Sequence, residues 1–224
     1  MEYNLKLSNR KTIALHILKD GTLEVRAPKN VHKSVITDFV LSKQDWVSKN
    51  IDRAKERKLK KSEFTLEIGD FLLYKGTEYK ILENDKNAVS FDHKNFYMPK
   101  GIPFEILKPA FVKLYRNLAK EEILEKITYY SEIMDLKCTN VKINSAKTRW
   151  GSCSGKNSLN FSWKLILADE NTINYVVVHE LAHTKEHNHS DSFWKIVKKF
   201  VPNYDRERDK LKELQKKLSL ENWD

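Results

Sequence analysis

Cysteine is nearly absent. Two residues, Cys138 and Cys153, in a chain of 224 exclude a disulfide framework and fit a reducing compartment. Neither has a partner at the spacing of a structural zinc site. Cys153 reads as a small packed residue rather than a nucleophile. Long apolar runs are also missing. No stretch approaches the ~18 residues a membrane helix needs, and the start, Met1 to Leu7, lacks the apolar core of a signal peptide. The expected location is the cytoplasm, with no membrane partner. Internal repeats and low-complexity segments are absent too. Acid is in deficit: 31 acidic residues face 41 basic ones, for a net charge of +10. That balance admits nucleic acid, an anionic substrate or simple solubility. The densest basic run is Arg53 to Lys61. A second, from Lys195 to Lys217, is interleaved with acids in the manner of solvated helix faces. Nucleic acid is therefore a possible partner that nothing beyond charge indicates.

What is present suffices for one large domain or two small ones. Residues 4–27 read as two or three strands, with Asp20-Gly21 as a hairpin turn and Pro28 as a stop. Residues 31–61 read as helical, with a break at Ser42 and a cap there for the second helix. Strand pattern returns at Phe64–Ile68, Phe71–Tyr74, Glu78–Leu82, Ala88–Phe91 and Asn95–Met98. The stretch Pro99 to Pro103 is the expected boundary. A long amphipathic helix from Phe104 to about Met134 follows, with a possible break at Pro109. Then come a short strand at Val141–Asn144, another at Leu159–Trp163 continuing into Leu165–Leu167, and helices to about Leu218. The expectation is an α+β fold: an N-terminal antiparallel β-rich unit with helices over 1–102, then a mostly helical domain with a small sheet over 103–224. The histidines at 16, 32 and 93 stand alone and read as structural or solvent-facing.

The chemistry concentrates in His179-Glu180-Leu181-Ala182-His183. Histidines four apart share a helix face, about one turn apart, so both imidazoles can reach one metal ion. Glu180 can then face the metal's open position and take a proton from water. The preceding run, Ile173 to Val178, is mostly apolar, which buries the helix. A buried carboxylate is expensive without a task or a partner. Two further histidines follow, His187 and His189. A catalytic zinc site takes three protein ligands. His189 is the expected third, because its separation from His183 matches the last histidine of the metzincin pattern. Glu186 stands where that pattern has glycine, so the turn must be made otherwise, with Asn188 as the residue that tolerates a left-handed conformation. His187 continues the four-residue spacing, but three ligands in a row on a straight helix suit a tetrahedral site badly. Glu207 is a third option, against which stands its reading as a solvated acid on a charged helix. Ser190 is expected to cap a new helix carrying Phe193, Trp194, Val197 and Phe200. Asp169 or Asn171 is expected to cap the helix of His179.

One loop stands apart. In Arg149-Trp150-Gly151-Ser152, glycine permits a turn or a close approach, and arginine can bind a carboxylate or phosphate as a bidentate fork. Either Trp150 packs in the core and Arg149 answers an internal acid, or the loop lines a substrate cleft. If the strand Leu159–Trp163 lies at a sheet edge above the metal, an extended peptide could add to it.

The stretches Lys147 to Ser154, His179 to His183, Asn188 to Ser190 and Phe193-Trp194, with Gly21 to Pro28 and Phe39 to Trp46, resemble the YgjP-like metallopeptidase family, which is related to SprT-like proteases. The resemblance covers nearly the whole chain. It implies a zincin-like metal-binding catalytic domain over 103–224, with one zinc ion held by His179, His183 and His189 and Glu180 as catalytic base. It places no specific substrate. Arg149, Trp150, Gly151, Ser152 and His187 are candidate substrate contacts.

The expected reaction is hydrolysis of a peptide or protein by metal-activated water, with Glu180 moving the proton. Arg149, Tyr175, His187 and Tyr204 are candidates for stabilising the oxyanion. Three other readings stay open: hydrolysis of a nucleotide phosphoanhydride, a SprT-like protease acting on DNA-bound proteins, and a structural zinc module, against which an intact Glu180 argues.

Overall fold

The turn at Asp20-Gly21 builds the first sheet. Gly21 takes φ +89°, a region costly for other residues, and Asp20 Oδ1 accepts from Thr22 N at 3.0 Å. The turn closes β2 (Ala14–Ile17) antiparallel onto β3 (Leu23–Pro28), with Leu15 opposite Val25. On the other side of β3 lies β1 (Asn4–Ser8), and this pair is parallel. The sheet is therefore mixed, not purely antiparallel. A computed structural model gives this architecture for residues 2–223. Helices α1 (Lys33–Ser42) and α2 (Gln44–Glu63) follow. The break falls where expected, but Ser42 does not cap α2: its hydroxyl donates to Phe39 O, and Lys43 sits at the junction. Leu23, Val25, Ala27, Ile36, Val40 and Val47 form a buried cluster between this sheet and its helices.

These elements, the first 64 residues together with Leu218–Asn222, make one compact unit; Thr65–Lys217 with Trp223 makes a second. The segment 99–103 lies inside the second unit. The reason is a hairpin. β4 (Phe71–Tyr74) and β5 (Thr77–Glu83) are joined at Lys75-Gly76, both with positive φ. Lys75 N donates to Ile166 O at 2.8 Å and Gly76 N to Leu167 O at 3.2 Å, so the turn is fastened to a part of the chain 91 residues on. A side chain at Gly76 would meet Asp169 backbone and Cβ at 2.8–3.2 Å. β6 (Ser90–Phe91) and β7 (Phe96–Met98) complete a sheet of order β4-β5-β7-β6, in which β5 and β7 are parallel. The strand expected at Phe64–Ile68 is not formed. Asp70 accepts from Glu67 N at 2.9 Å and Asp70 N donates to Glu67 O, so a local turn takes the backbone groups a strand would need.

α3 (Phe104–Met134) runs 31 residues without a break. Pro109 lies in its second turn, where one lost N–H bond is tolerated because Leu107, Phe111, Tyr115, Ala119, Ile123 and Ile127 bury one continuous stripe. β8 (Asn140–Asn144), β9 (Gly151–Cys153) and β10 (Ser158–Ser162) form a sheet of order β8-β10-β9, parallel on one side of β10 and antiparallel on the other. The apolar run Trp163–Leu167, expected to be strand, is a 3-10 helix buried along its length. It packs on α3, and α3 in turn packs on α4 (Glu170–Ala182), which also packs on β9 and on α5 (Asp191–Phe200). α6 (Tyr204–Leu218) ends the fold. Among the described residues no helix is long and apolar enough to cross a membrane.

Candidate active site

Asp169 starts α4. Its carboxylate accepts from Thr172 N at 3.1 Å, satisfying one of the helix's open N–H groups. Thirteen residues later the helix ends, with His183 as its last capping residue. His179 and His183 thus sit on the last turn of a helix whose other sides are in the core: Val176, Val177, Val178, Leu181 and Ala182 are all buried. The chain turns through residues 184–189 without a left-handed residue. Asn188 is not among the described residues with positive φ, contrary to expectation. Helical-type bonds make the turn instead, from Lys185 N and Glu186 N to Ala182 O. Ser190 then caps α5 by accepting from Phe193 N, as expected.

That cap brings His189 back over the first two histidines. One ring nitrogen of each of His179, His183 and His189 lies within 4.8 Å of the others. His189 Nε2 is 3.1 Å from His179 Nε2. His183 Nδ1 lies 3.0 Å from Glu186 O, which makes it the protonated nitrogen and leaves Nε2 as the lone-pair donor. His179 Nδ1 is buried and without a partner, so Nε2 is again the nitrogen turned to the other rings. The first turn of α5 braces all three. Phe193 stacks on His183 at 4.4 Å and meets His179 edge-on at 4.9 Å, while Trp194 stacks on His189 at 5.6 Å. Burial, with His183 and His189 adding to it, holds the His179 imidazole down at about 3 and therefore neutral. Burial lowers His183 as well. Three imidazoles, each with a ring nitrogen aimed at one point, are a donor set that fits a divalent transition metal.

Glu180 is 6% exposed. Burial pushes its carboxyl up to about 8, against the pull of the Arg149 guanidinium. It lies under β9, and the approach is close: a Cβ added to Gly151 would fall 2.6 Å from Glu180 Cγ and Oε1. Only glycine lets the strand pass over this carboxylate, so the close-approach reading of Gly151 is the one the structure bears out. β9 bonds β10 on one side and has no strand on the other among the described residues. β10 lies between β8 and β9, so the idea that Leu159–Trp163 is a free edge for substrate is ruled out; the edge strand of this sheet beside Glu180 is β9.

A cavity of about 450 Å³ opens beside these groups, lined by Thr148 to Gly151, Tyr175, Val176, His179 and Glu180, and across from them by Arg208, Leu211, Lys212 and Gln215 of α6. Arg149, Trp150 and Gly151 are thereby brought to the same space as His179 and Glu180. Trp150 is half-buried, and its carbonyl accepts from Ser162 N at 2.9 Å. Ser152 faces Asn160 in the sheet and His187 is exposed in the turn; neither lines this cavity. Of the four oxyanion candidates, Arg149 and Tyr175 line it and His187 and Tyr204 do not. Glu207 is neither a ligand nor solvated. It is 5% exposed, accepts from Thr172 Oγ1 at 2.7 Å and pairs with Lys210 at 2.9 Å, tying α6 to the start of α4. The cavity residues of α6 went unseen in the sequence. Their only trace there is the spacing Arg208, Leu211, Lys212, Gln215, which repeats a helix face. Cys153 is a half-buried thiol raised by burial, which makes it a poor nucleophile.

No curated protein matches the chain. Among solved structures, the metallopeptidase zymogen of Pyrococcus abyssi, abylysin, is 25% identical with a TM-score of 0.38, over 43% of this chain and 94% of that one. The metallopeptidase zymogen of Methanocaldococcus jannaschii, jannalysin, is 22% identical with a TM-score of 0.37, over 42% and 95%. Superpositions this partial leave the family to be decided by sequence. The model of the YgjP-like metallopeptidase domain matches residues 11–214, nearly the full length, and the chain belongs to that family of metal-dependent peptidases.

Proposed function

We propose that His179, His183 and His189 hold a single zinc ion and that Glu180 is the general base of a peptidase. The observation that carries this reading is the convergence of three ring nitrogens within 4.8 Å of one another beside a carboxylate that the fold keeps buried. A set of three imidazoles suits zinc better than a hard, oxygen-seeking cation such as magnesium. When bound, the ion supplies Lewis acidity to the scissile carbonyl and to the attacking water. The remaining work belongs to the chain. Glu180 takes the water's proton on a carboxylate oxygen and returns it to the leaving amine. The raised affinity of that carboxyl for a proton suits the transfer. Arg149 or Tyr175 donates to the oxygen that becomes anionic. The open edge of β9 offers N–H and C=O groups to an extended peptide, which Gly151 brings close to Glu180.

In this reading every catalytic group lies within 103–224, and residues 1–102 supply none. The protein works in the cytoplasm on peptides or unfolded protein. The test is Glu180→Gln. It should keep the metal at one equivalent while kcat for a cleaved peptide falls by about 10²–10⁴. Hydrolysis surviving in a metal-loaded Gln variant removes Glu180 from the mechanism. Nucleotides assayed in parallel should be left intact.

A further inference from the structure

From the cavity beside Glu180 we infer that the enzyme selects substrates carrying a carboxylate next to the bond it cleaves. The inference rests on the peptidase reading above. The cavity of about 450 Å³ is lined by three cations, Arg149 on one wall and Arg208 and Lys212 on the other, and by one acid, Glu180. Glu180 belongs to the reaction. The other ionisable side chains there, His179 and Tyr175, add no second carboxylate. A substrate group entering this space therefore meets a net positive surface, to which a metal ion adds further charge. The far wall is fixed in place. The buried Glu207–Thr172 hydrogen bond and the Lys210 pair with Asp169, at 3.2 Å, join α6 to the capped start of α4. With α6 held there, residues 208, 211, 212 and 215 form one face toward His179 and Glu180.

Each of the two α6 cations has a weak partner. Arg208 bonds Asp205 at 2.9 Å and Lys212 bonds Asp209 at 2.7 Å, one turn back on the same helix. All four side chains are about half exposed or more, at 48–70%. Exposed pairs of this kind contribute little and can be exchanged for a substrate carboxylate that is partly withdrawn from water. Arg149 can take such a group as a bidentate fork. The carboxylate has two possible sources: an Asp or Glu side chain beside the scissile bond, or the free C-terminus of the substrate. Trp150, Val176 and Leu211 give the cavity an apolar portion that suits the stem of a side chain, and the polar Thr148 and Gln215 there are uncharged.

The experiment uses the full-length metal-loaded protein and a matched peptide set: one neutral, one with Glu beside the scissile bond and an amidated end, and one neutral with a free C-terminal carboxylate. Hydrolysis is followed in the wild type, and binding is followed by tryptophan fluorescence in Glu180→Gln. At least one carboxylate peptide should exceed the neutral one by tenfold or more in kcat/KM and in affinity. Arg208→Glu with Lys212→Glu should erase or invert that ratio, and raising salt should shrink it. Which of the two carboxylate peptides is favoured identifies the source. Equal affinities across the set, or a ratio untouched by the charge reversal, overturns the inference. So does a single-stranded DNA oligonucleotide that binds through these two residues where acidic peptides do not. If acidic peptides bind preferentially but no peptide is cleaved by the wild type, the anion site stands and the peptidase reading falls.

Discussion

At the scale of single residues, the site places a carboxylate and imidazoles where water is scarce. The consequence is readable in stability against pH. Without metal, the Glu180 carboxyl, raised from 4.5 to about 8, contributes stability that is complete below 4.5 and lost as pH rises through 8. The His179 imidazole, lowered from 6.5 to about 3, does the opposite and loses stability as pH falls below 6.5. Between 4.5 and 6.5 the two slopes oppose each other; above 6.5 only Glu180 acts. Chelator-treated protein should therefore lose about 2 kcal/mol between pH 6.5 and 8, measured by urea unfolding. Glu180→Gln should show no such loss, and equal slopes in the two proteins would refute the assignment. Gly151 supplies a second prediction. Gly151→Ala drives a methyl into Glu180 and should destabilise by about 1–3 kcal/mol. In a Glu180→Ala background the same substitution should be far milder, and strict additivity would show that the contact is not the cause.

The elements show how far local signals reach. The pair His179 and His183 was legible because helix geometry alone brings them together. The nearness of His189 was legible from its metzincin-like separation from His183, with Ser190 announcing a new helix directly after it. That dependence is testable. Ser190→Ala removes the cap and should cost about 1 kcal/mol. Because His189 precedes the cap, zinc affinity should also weaken by about tenfold, read by competition with a chromogenic chelator; unchanged affinity would mean that the aromatic braces alone position the ring. Other elements were not legible. The run Trp163–Leu167 is apolar at four of its five positions, with Lys164 the exception, and so short a run fits a buried strand or a buried helix equally well. Whether β10 lies at an edge could not be read, because its partners, β8 and β9, are set by pairing across the sheet, which no local pattern records. Glu207 looked solvated among its charged neighbours. Its burial depends on Thr172, 35 positions away.

For the whole molecule, the same contrast divides function from packing. All of the candidate chemistry lies after residue 102, yet the hairpin at Lys75-Gly76 belongs to the same compact unit because it bonds Ile166 and Leu167. Composition signals such as Pro99 to Pro103 mark a change of pattern and miss a long-range fastening of this kind. The cationic wall of the cavity was hidden for a related reason: Arg208 and Lys212 sit among acids in sequence, and only the fold turns them toward Glu180. The metal should stabilise the protein as any ligand of the native state does. At free zinc 100-fold above its dissociation constant the gain is about 2.7 kcal/mol. Calorimetry should then show a transition raised by about 5–10 °C and reversed by chelator. Zinc that leaves every transition unmoved would mean that it does not bind the folded site.

The most direct measurement is a crystal structure of the zinc-loaded protein with the ion located by its anomalous signal. The account predicts one ion, bound by Nε2 of His179, Nε2 of His183 and a ring nitrogen of His189 at about 2.0–2.1 Å, with a solvent position beside Glu180. An ion held through His187 in place of His189, or no ion between these three rings, would contradict it.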